Sequence, residues 1–171
     1  MELYEGLLTR RSIRRYTGEK ISEKDIDLIV KAGMYAPSAH NKRPWHFIII
    51  DDREVIDKIM KAHPYASMLK EASHAIVVCG DLQKQNAPGY YLLDCSAATQ
   101  NVLLAAHALG YGAVWLAVEP RKERINAISK ILNLPDFISP VAIVSIGVPE
   151  GKPPAQPRRY EPEKIRRNRW V

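Results

Sequence analysis

The sequence predicts a layered α/β or α+β domain whose sheet is covered by helices on both faces, and three observations carry that prediction. Four short runs, WHFIII (45–50), HAIVVCG (74–80), AVWLAV (113–118) and VAIVSIG (141–147), are continuously apolar and read as buried strands. Helical patterns alternate with these runs, so each sheet face has helices available to cover it. A length of 171 residues, 46% of them hydrophobic, suits one domain with one core.

Taken in order, ELYEGLLT (2–9) sets Leu3, Tyr4, Leu7 and Leu8 at helical spacing, a short amphipathic helix leading into four arginines. After the Thr17-Gly18 turn, Ser22 is a good N-cap, and Ile26, Ile29, Val30 and Gly33 share one face of a helix that Pro37 stops. Residues 53–62 form a further helix, closed by Pro64. From Pro88 to Leu109 the chain is apolar round most of a helix, which marks a central buried element. That length also fits a membrane span, but Asp94, Gln100, Asn101 and His107 argue against one. Gly110 reads as a helix C-cap and Gly112 as a turn, and residues 121–133 form a helix that Pro135 ends. The stretch GKPPAQPRRYEPEK is proline-rich and extended. The last twenty residues, basic and ending near Trp170, find no place in a monomeric core, so they are either disordered or wrapped on a partner subunit.

Composition narrows the function classes. The chain carries +6 at pH 7, but residues 151–171 hold seven bases and two acids, so residues 1–150 are close to neutral. A neutral body weighs against a broad nucleic-acid footprint. The N-terminus has two acids before its first base and no small-residue cleavage pattern, so no secretory signal is expected there. Two cysteines, Cys79 and Cys95, lie within apolar stretches, which points to inert core thiols and a reducing cytoplasm rather than a disulfide framework.

Two stretches stand out as candidate sites. In RRSIRRY (10–16) the arginines Arg10, Arg11, Arg14 and Arg15 would spread over more than one face of a continuous helix. If the helix instead ends near Thr9 or Arg10, several guanidinium forks, with the Ser12 hydroxyl, can converge on one anion. A solvated helix end explains the same residues equally well. In APSAHNKRPW (36–45), Pro37 and Pro44 bracket a stiff polar loop in which Asn41 and Ser38 suit the polar edge of a heterocycle, although a plain helix-to-strand connection also fits. LGYGAVW (109–115) follows a helix and lacks the third glycine of a dinucleotide fingerprint. The five histidines show no metal-ligand spacing, and no GxSxG, P-loop or H-E-x-x-H is present. Such a chain performs its chemistry through a bound cofactor or performs none.

Together RRSIRRY, APSAHNKRPWHFIII, HALGYGAVWLAVEP and the late QPRRYEPE resemble the nitroreductase family of FMN-dependent oxidoreductases, in order and spacing along nearly the whole chain. The resemblance implies an α+β fold with a central mixed sheet, residues 1–150 as the FMN-binding core, and residues 151–171 as an extension reaching a partner subunit. It implies a homodimer with FMN at the interface and NADH or NADPH as electron donor. Arg10 and Arg158 match the residues that hold the FMN phosphate, with Arg159 and Arg11 beside them. Ser12 matches a hydrogen-bonding partner of the flavin's polar parts, and Arg14 a base near N1 and O2. Pro37, Ser38 and Ala39 match a segment packing on the flavin bound mainly by the other subunit, and Asn41 a polar residue near that pocket. Trp115, Leu116, Ala117 and Val118 match the strand whose backbone amides approach N5.

Some residues depart from the family pattern. Arg43 stands where many members carry Gln, His40 sits inside the loop, and Ala117 occupies a place that is acidic in some members. No long insertion separates the 74–80 strand from the helix after Pro88, which implies an open, tolerant site. The expected activity is hydride transfer from NAD(P)H through flavin to a nitroaromatic or quinone. The rivals are a flavin-binding protein with lost or repurposed redox activity and a basic nucleic-acid-binding protein.

Overall fold

Helix α1 (Leu3–Thr9) opens the chain in a computed structural model that describes residues 2–151 and 159–170. The order continues α2 (Glu23–Met34), β1 (Trp45–Ile50), α3 (Arg53–Ala62), β2 (His74–Asp81), α4 (Tyr90–Ala108), β3 (Gly112–Ala117), α5 (Lys122–Ile131) and β4 (Ile138–Gly147). Short 3-10 turns lie at Ala39–Asn41, Ser67–Lys70 and Pro162–Lys164. Ser22 caps α2 as expected, its side chain accepting from Asp25 N at 3.2 Å, and Asp52 caps α3 through the amides of Glu54 and Val55.

The sheet order is β1-β2-β4-β3, and every pairing between named strands is antiparallel. The mixed sheet that the resemblance implied is therefore corrected: among the described residues, parallel pairing occurs only at the isolated bridge between Ser12 and Ala113. Strand β1 also departs from expectation. It reads as a buried strand, yet it is a sheet edge with exposed His46 and Ile49, its two ends buried. Strand β4 is three residues longer than the 141–147 run. Pro140 has no N–H for the ladder, but the register shifts opposite Val78 and Cys79, and a bulge accommodates it.

Helices α3 and α5 cover one face with Ile56, Ile59 and Ile128, packed on Val77, Leu116 and Ile143. Helices α2 and α4 cover the other with Ile26, Ile29, Val102 and Leu103, packed on Ile76, Val144 and Ile146. Close approach of α2 depends on Gly33, where a Cβ would lie 2.9 Å from both Phe47 and Val102. Among the described residues, no helix is long and apolar enough to cross a membrane.

Residues 10–21 cross one end of the sheet. Ile13 N donates to Ala113 O (3.0 Å), Thr17 N to Val148 O (3.0 Å), and Ile21 N to Ser73 Oγ (2.8 Å). Ile13 lies on Gly112 and Tyr16 on Gly147, where added Cβ atoms would come within 2.6 and 2.7 Å of those side chains. The Tyr16 hydroxyl donates to Ile13 O (2.8 Å) and Ser145 O (3.2 Å).

Burial pushes Tyr16 from 10.0 up to about 12, against smaller opposing effects of Ser145 and Arg14. Burial likewise pushes the Cys79 and Cys95 thiols from 9.0 up to about 12. All three are raised acids, so the fold favours their neutral forms. Their contribution to stability is complete below about pH 9 and is lost as pH rises through about 12. Urea unfolding measured from pH 8 upward should show stability falling across that window, and Tyr16→Phe should make the fall shallower.

Candidate functional site

Helix α1 stops at Thr9, and Arg10 is its C-cap with φ −56° and ψ 135°, so the arginines lie on extended chain. Thr9 Oγ1 bonds Glu5 O and His107 Nε2, each at 2.8 Å, which fixes the exit of α1 against the end of α4. Arg10 is half-buried. Its guanidinium is held below the usual value first by burial and then by Arg159, near the other end of the chain. His107 is also lowered, first by burial and then by Arg10. Arg10, His107 and Arg159 thus share one electrostatic neighbourhood. Arg11 is half-buried too, and its Nη1 is fully buried with no hydrogen-bond partner. These are not the properties of a solvated helix end; clustered, partly desolvated guanidinium groups suit an oxyanion such as phosphate. Ser12 and Arg14 are exposed beside them, and Arg158 lies outside the described residues.

The arginines flank β3, an edge strand. Ala113 turns its carbonyl outward to Ile13, and backbone groups alternate sides, so Trp115 and Ala117 also face away from β4. Ala117 O accepts from His63 Nε2 (3.0 Å) and from Arg124 Nη1 (2.9 Å). His63 Nδ1 accepts from Tyr65 N (3.3 Å), which makes Nε2 the protonated nitrogen of a neutral ring. Val118 N donates to Val141 O (3.1 Å). Its amide is therefore spent within the sheet, which corrects the expectation that Val118 presents an amide to a ligand. The side chains of Leu116 and Val118 belong to the core, whereas Trp115 is half-buried and Ala117 exposed.

The loop after α2 is held by two contacts. Ala39 N donates to Asp94 Oδ1 (3.0 Å), and Arg43 N donates to Ser38 Oγ (2.9 Å). His40, Asn41 and Arg43 adopt φ of 49°, 53° and 47°, a left-handed conformation that costs non-glycine residues on the order of 1–2 kcal/mol each. A plain connection has no need of three such residues; strain of this kind gathers at functional sites. Ser38 and Ala39 are half-buried, while Pro37 and Asn41 are exposed.

Within one chain the two candidate stretches do not meet. Ala39 rests on Asp94 and Arg10 stands beside His107, near opposite ends of α4 and about 20 Å apart at 1.5 Å per residue. The loop leads into β1 and the arginines flank β3, opposite edges of the sheet separated by about 14 Å of strand spacing.

Four residues with a part in this geometry escaped the sequence reading: Asp94, His107, His63 and Arg124. Asp94 carried a signal, being an acid in an otherwise apolar helix; it is buried, and its Oδ2 has no hydrogen-bond partner. Arg124 and His63 carried none, because both act on a backbone carbonyl, which sequence does not single out.

Comparison with known proteins gives consistent matches. The model of the "Nitroreductase family" matches residues 7–72 and 60–148. A relative from Archaeoglobus fulgidus, provisionally named an NADH dehydrogenase/NAD(P)H nitroreductase, is 45% identical over 99% of both chains. A crystal structure from Parabacteroides distasonis with the same provisional name superposes with a TM-score of 0.94, at 43% identity and 98% coverage of each chain. One from Desulfovibrio desulfuricans, provisionally a nitroreductase and crystallised in complex with FMN, superposes with a TM-score of 0.85 at 32% identity, covering 100% of this chain and 99% of that one. With the sheet, the arginine cluster and the strained loop in these places, the chain belongs to the nitroreductase family.

Proposed function

We propose that this protein is an NAD(P)H-dependent flavin oxidoreductase that binds FMN without a covalent bond between two copies of the chain. The observation that carries this reading is the half-buried Arg10 beside the edge of β3, on which the charge of Arg159, from the other end of the sequence, acts. Two cations held together there, with the orphaned Arg11 Nη1 nearby, fit a phosphate monoester. When bound, FMN supplies the redox chemistry, accepting hydride from NADH or NADPH and delivering reducing equivalents to an electrophile of nitroaromatic or quinone type.

The residues bind and orient. Arg10 and Arg159, with Arg158 and Arg11, hold the phosphate. Ser12 serves the polar parts of the flavin, and Arg14 offers positive charge to the pyrimidine side, where fixed charge stabilises the reduced ring. Beyond Ala113, which pairs with residues 12–13, Trp115 and Ala117 would offer their outward backbone groups to the flavin. His63 and Arg124 grip the Ala117 carbonyl while Val118 N is tied to Val141, so the backbone at that point is set before any ligand arrives. Pro37, Ser38, Ala39 and Asn41 form the opposing wall of the partner's pocket, in keeping with their separation from the arginines of their own chain. Donor and acceptor then take turns on one stacking platform, which gives ping-pong kinetics, and protons for the product come from solvent.

A second copy is also favoured by what this chain leaves uncovered. Leu3, Tyr4, Leu7 and Leu8 of α1 are 75, 74, 49 and 60% exposed, and the described tail residues 159–170 are all exposed, Trp170 included. An amphipathic helix with its apolar side outward and a tail without a core of its own both fit an interface between copies.

Arg10→Ala and Arg159→Ala should each weaken FMN binding by about 1.5–3 kcal/mol, the range for charged hydrogen bonds, in fluorescence titrations of stripped protein. Unchanged affinity in both removes the phosphate assignment. Anaerobic mixing with NADH or NADPH should bleach the flavin absorption of the native protein. Leu7→Asp should shift the protein to monomers in light scattering and release flavin with them. Asp94→Ala should speed hydrogen exchange at the Ala39 amide roughly tenfold or more, from loss of a bond worth about 1.5–3 kcal/mol. Asp94→Asn, which keeps a carbonyl acceptor, should change it little.

A further inference from the structure

At the end of the sheet away from the strained loop, three residues remote in sequence point at one another. His74 opens β2, and Asp51 follows β1. The register pairs Ile50 with Ala75, so Asp51 and His74 are the next facing positions. Glu23 sits in the first turn of α2. One ligand atom from each, the His74 ring nitrogen and two carboxylate oxygens, lie within 4.8 Å of one another.

The histidine sets this cluster apart from ordinary surface acids. His74 is 2% exposed, and its Nε2 is buried without a hydrogen-bond partner. Glu23 Oε1 is 3.8 Å away, too far for a hydrogen bond. Two donors on one cation with bonds of about 2.0–2.2 Å stand roughly 3–3.4 Å apart, a distance that small rotations of the exposed Glu23 and Asp51 side chains reach. The other ring nitrogen is already oriented: Nδ1 lies 2.8 Å from Ser73 Oγ, which accepts from Ile21 N at 2.8 Å. A histidine fixed through one nitrogen, with the other aimed at carboxylates, is the usual arrangement around a bound transition metal.

We propose that His74 Nε2, Glu23 and Asp51 bind one divalent transition metal of the zinc class. An imidazole with two carboxylates favours such an ion over magnesium or calcium, which take oxygen ligands. A cavity of about 270 Å³ shares Asp51 with the cluster, is lined also by Ser73, and carries Lys20, Arg53, Lys70 and Glu71 on its wall. Arg53 directs its guanidinium to the carbonyls of Leu69, Lys70 and Ala72, so its charge is turned away to the chain. The metal would join α2 to the ends of β1 and β2, where residues 10–21 reach Ser73. It is a structural tie for the segment bearing the arginines, not a part of the redox site.

The test is calorimetric titration of the chelator-treated, flavin-loaded protein with zinc chloride, and separately with magnesium chloride, alongside Glu23→Gln and Asp51→Asn. Both substitutions are at exposed positions and leave the flavin residues untouched. The expected result is one zinc per chain, no comparable magnesium binding, and affinity lowered at least about tenfold in each variant. Circular dichroism of each variant checks that the fold is intact. Absence of saturable zinc binding, magnesium binding of equal strength, or zinc affinity unchanged in either folded variant overturns the site, whatever the protein's flavin content.

Discussion

The hydrogen bonding of residues 10–21 at the ends of three strands in succession is the constraint on which this structure rests. The segment touches β3 at Ala113, the residue after β4 at Val148 and the entry to β2 at Ser73. It can lie so close only because Gly112 and Gly147 leave space for Ile13 and Tyr16. Once it is seated, its path fixes where Arg10, Arg11, Ser12 and Arg14 stand relative to the open edge of β3. It also delivers the chain to Ser22, where α2 begins and covers the opposite face of the sheet. Packing and binding therefore have a common origin.

Two kinds of stored cost mark the places where a ligand would sit. One is electrostatic: Arg10 is held partly desolvated, with the like charge of Arg159 acting on it. The other is conformational: His40, Asn41 and Arg43 are kept left-handed by the anchoring of Ala39 to Asp94 and of Arg43 to Ser38. The first lies beside the C-terminal end of α4 and the second beside its N-terminal half, so a pocket that uses both calls for two chains.

Much of this was legible in the residue order. Ser22, Pro37, Pro64 and the apolar runs announced the elements, because caps, prolines and hydrophobic periods are local signals. The helix stop at Thr9 was foreseeable only as one of two options, since the tertiary contact with His107 decides it. Strand direction was not legible, because an apolar run buried on both faces looks the same in parallel and antiparallel sheets. Nor was the grouping of Glu23, Asp51 and His74, which come from three elements and show no spacing pattern. Asp94 was visible as an oddity in an apolar helix, but its partner at Ala39 is a backbone amide that sequence does not single out.

The two cysteines acquire a meaning from the chemistry proposed for the site. Quinones and partly reduced nitro compounds are electrophiles that alkylate thiolates, so an enzyme handling them risks destroying itself turnover by turnover. Cys79 and Cys95 lie in the core, both thiols pushed up to about 12 by burial, and neither offers a nucleophilic sulfur to solvent. Packing on both faces of the sheet, with Cys79 under α3 and α5 and Cys95 within α4, would thus protect a catalyst of that kind from its own products.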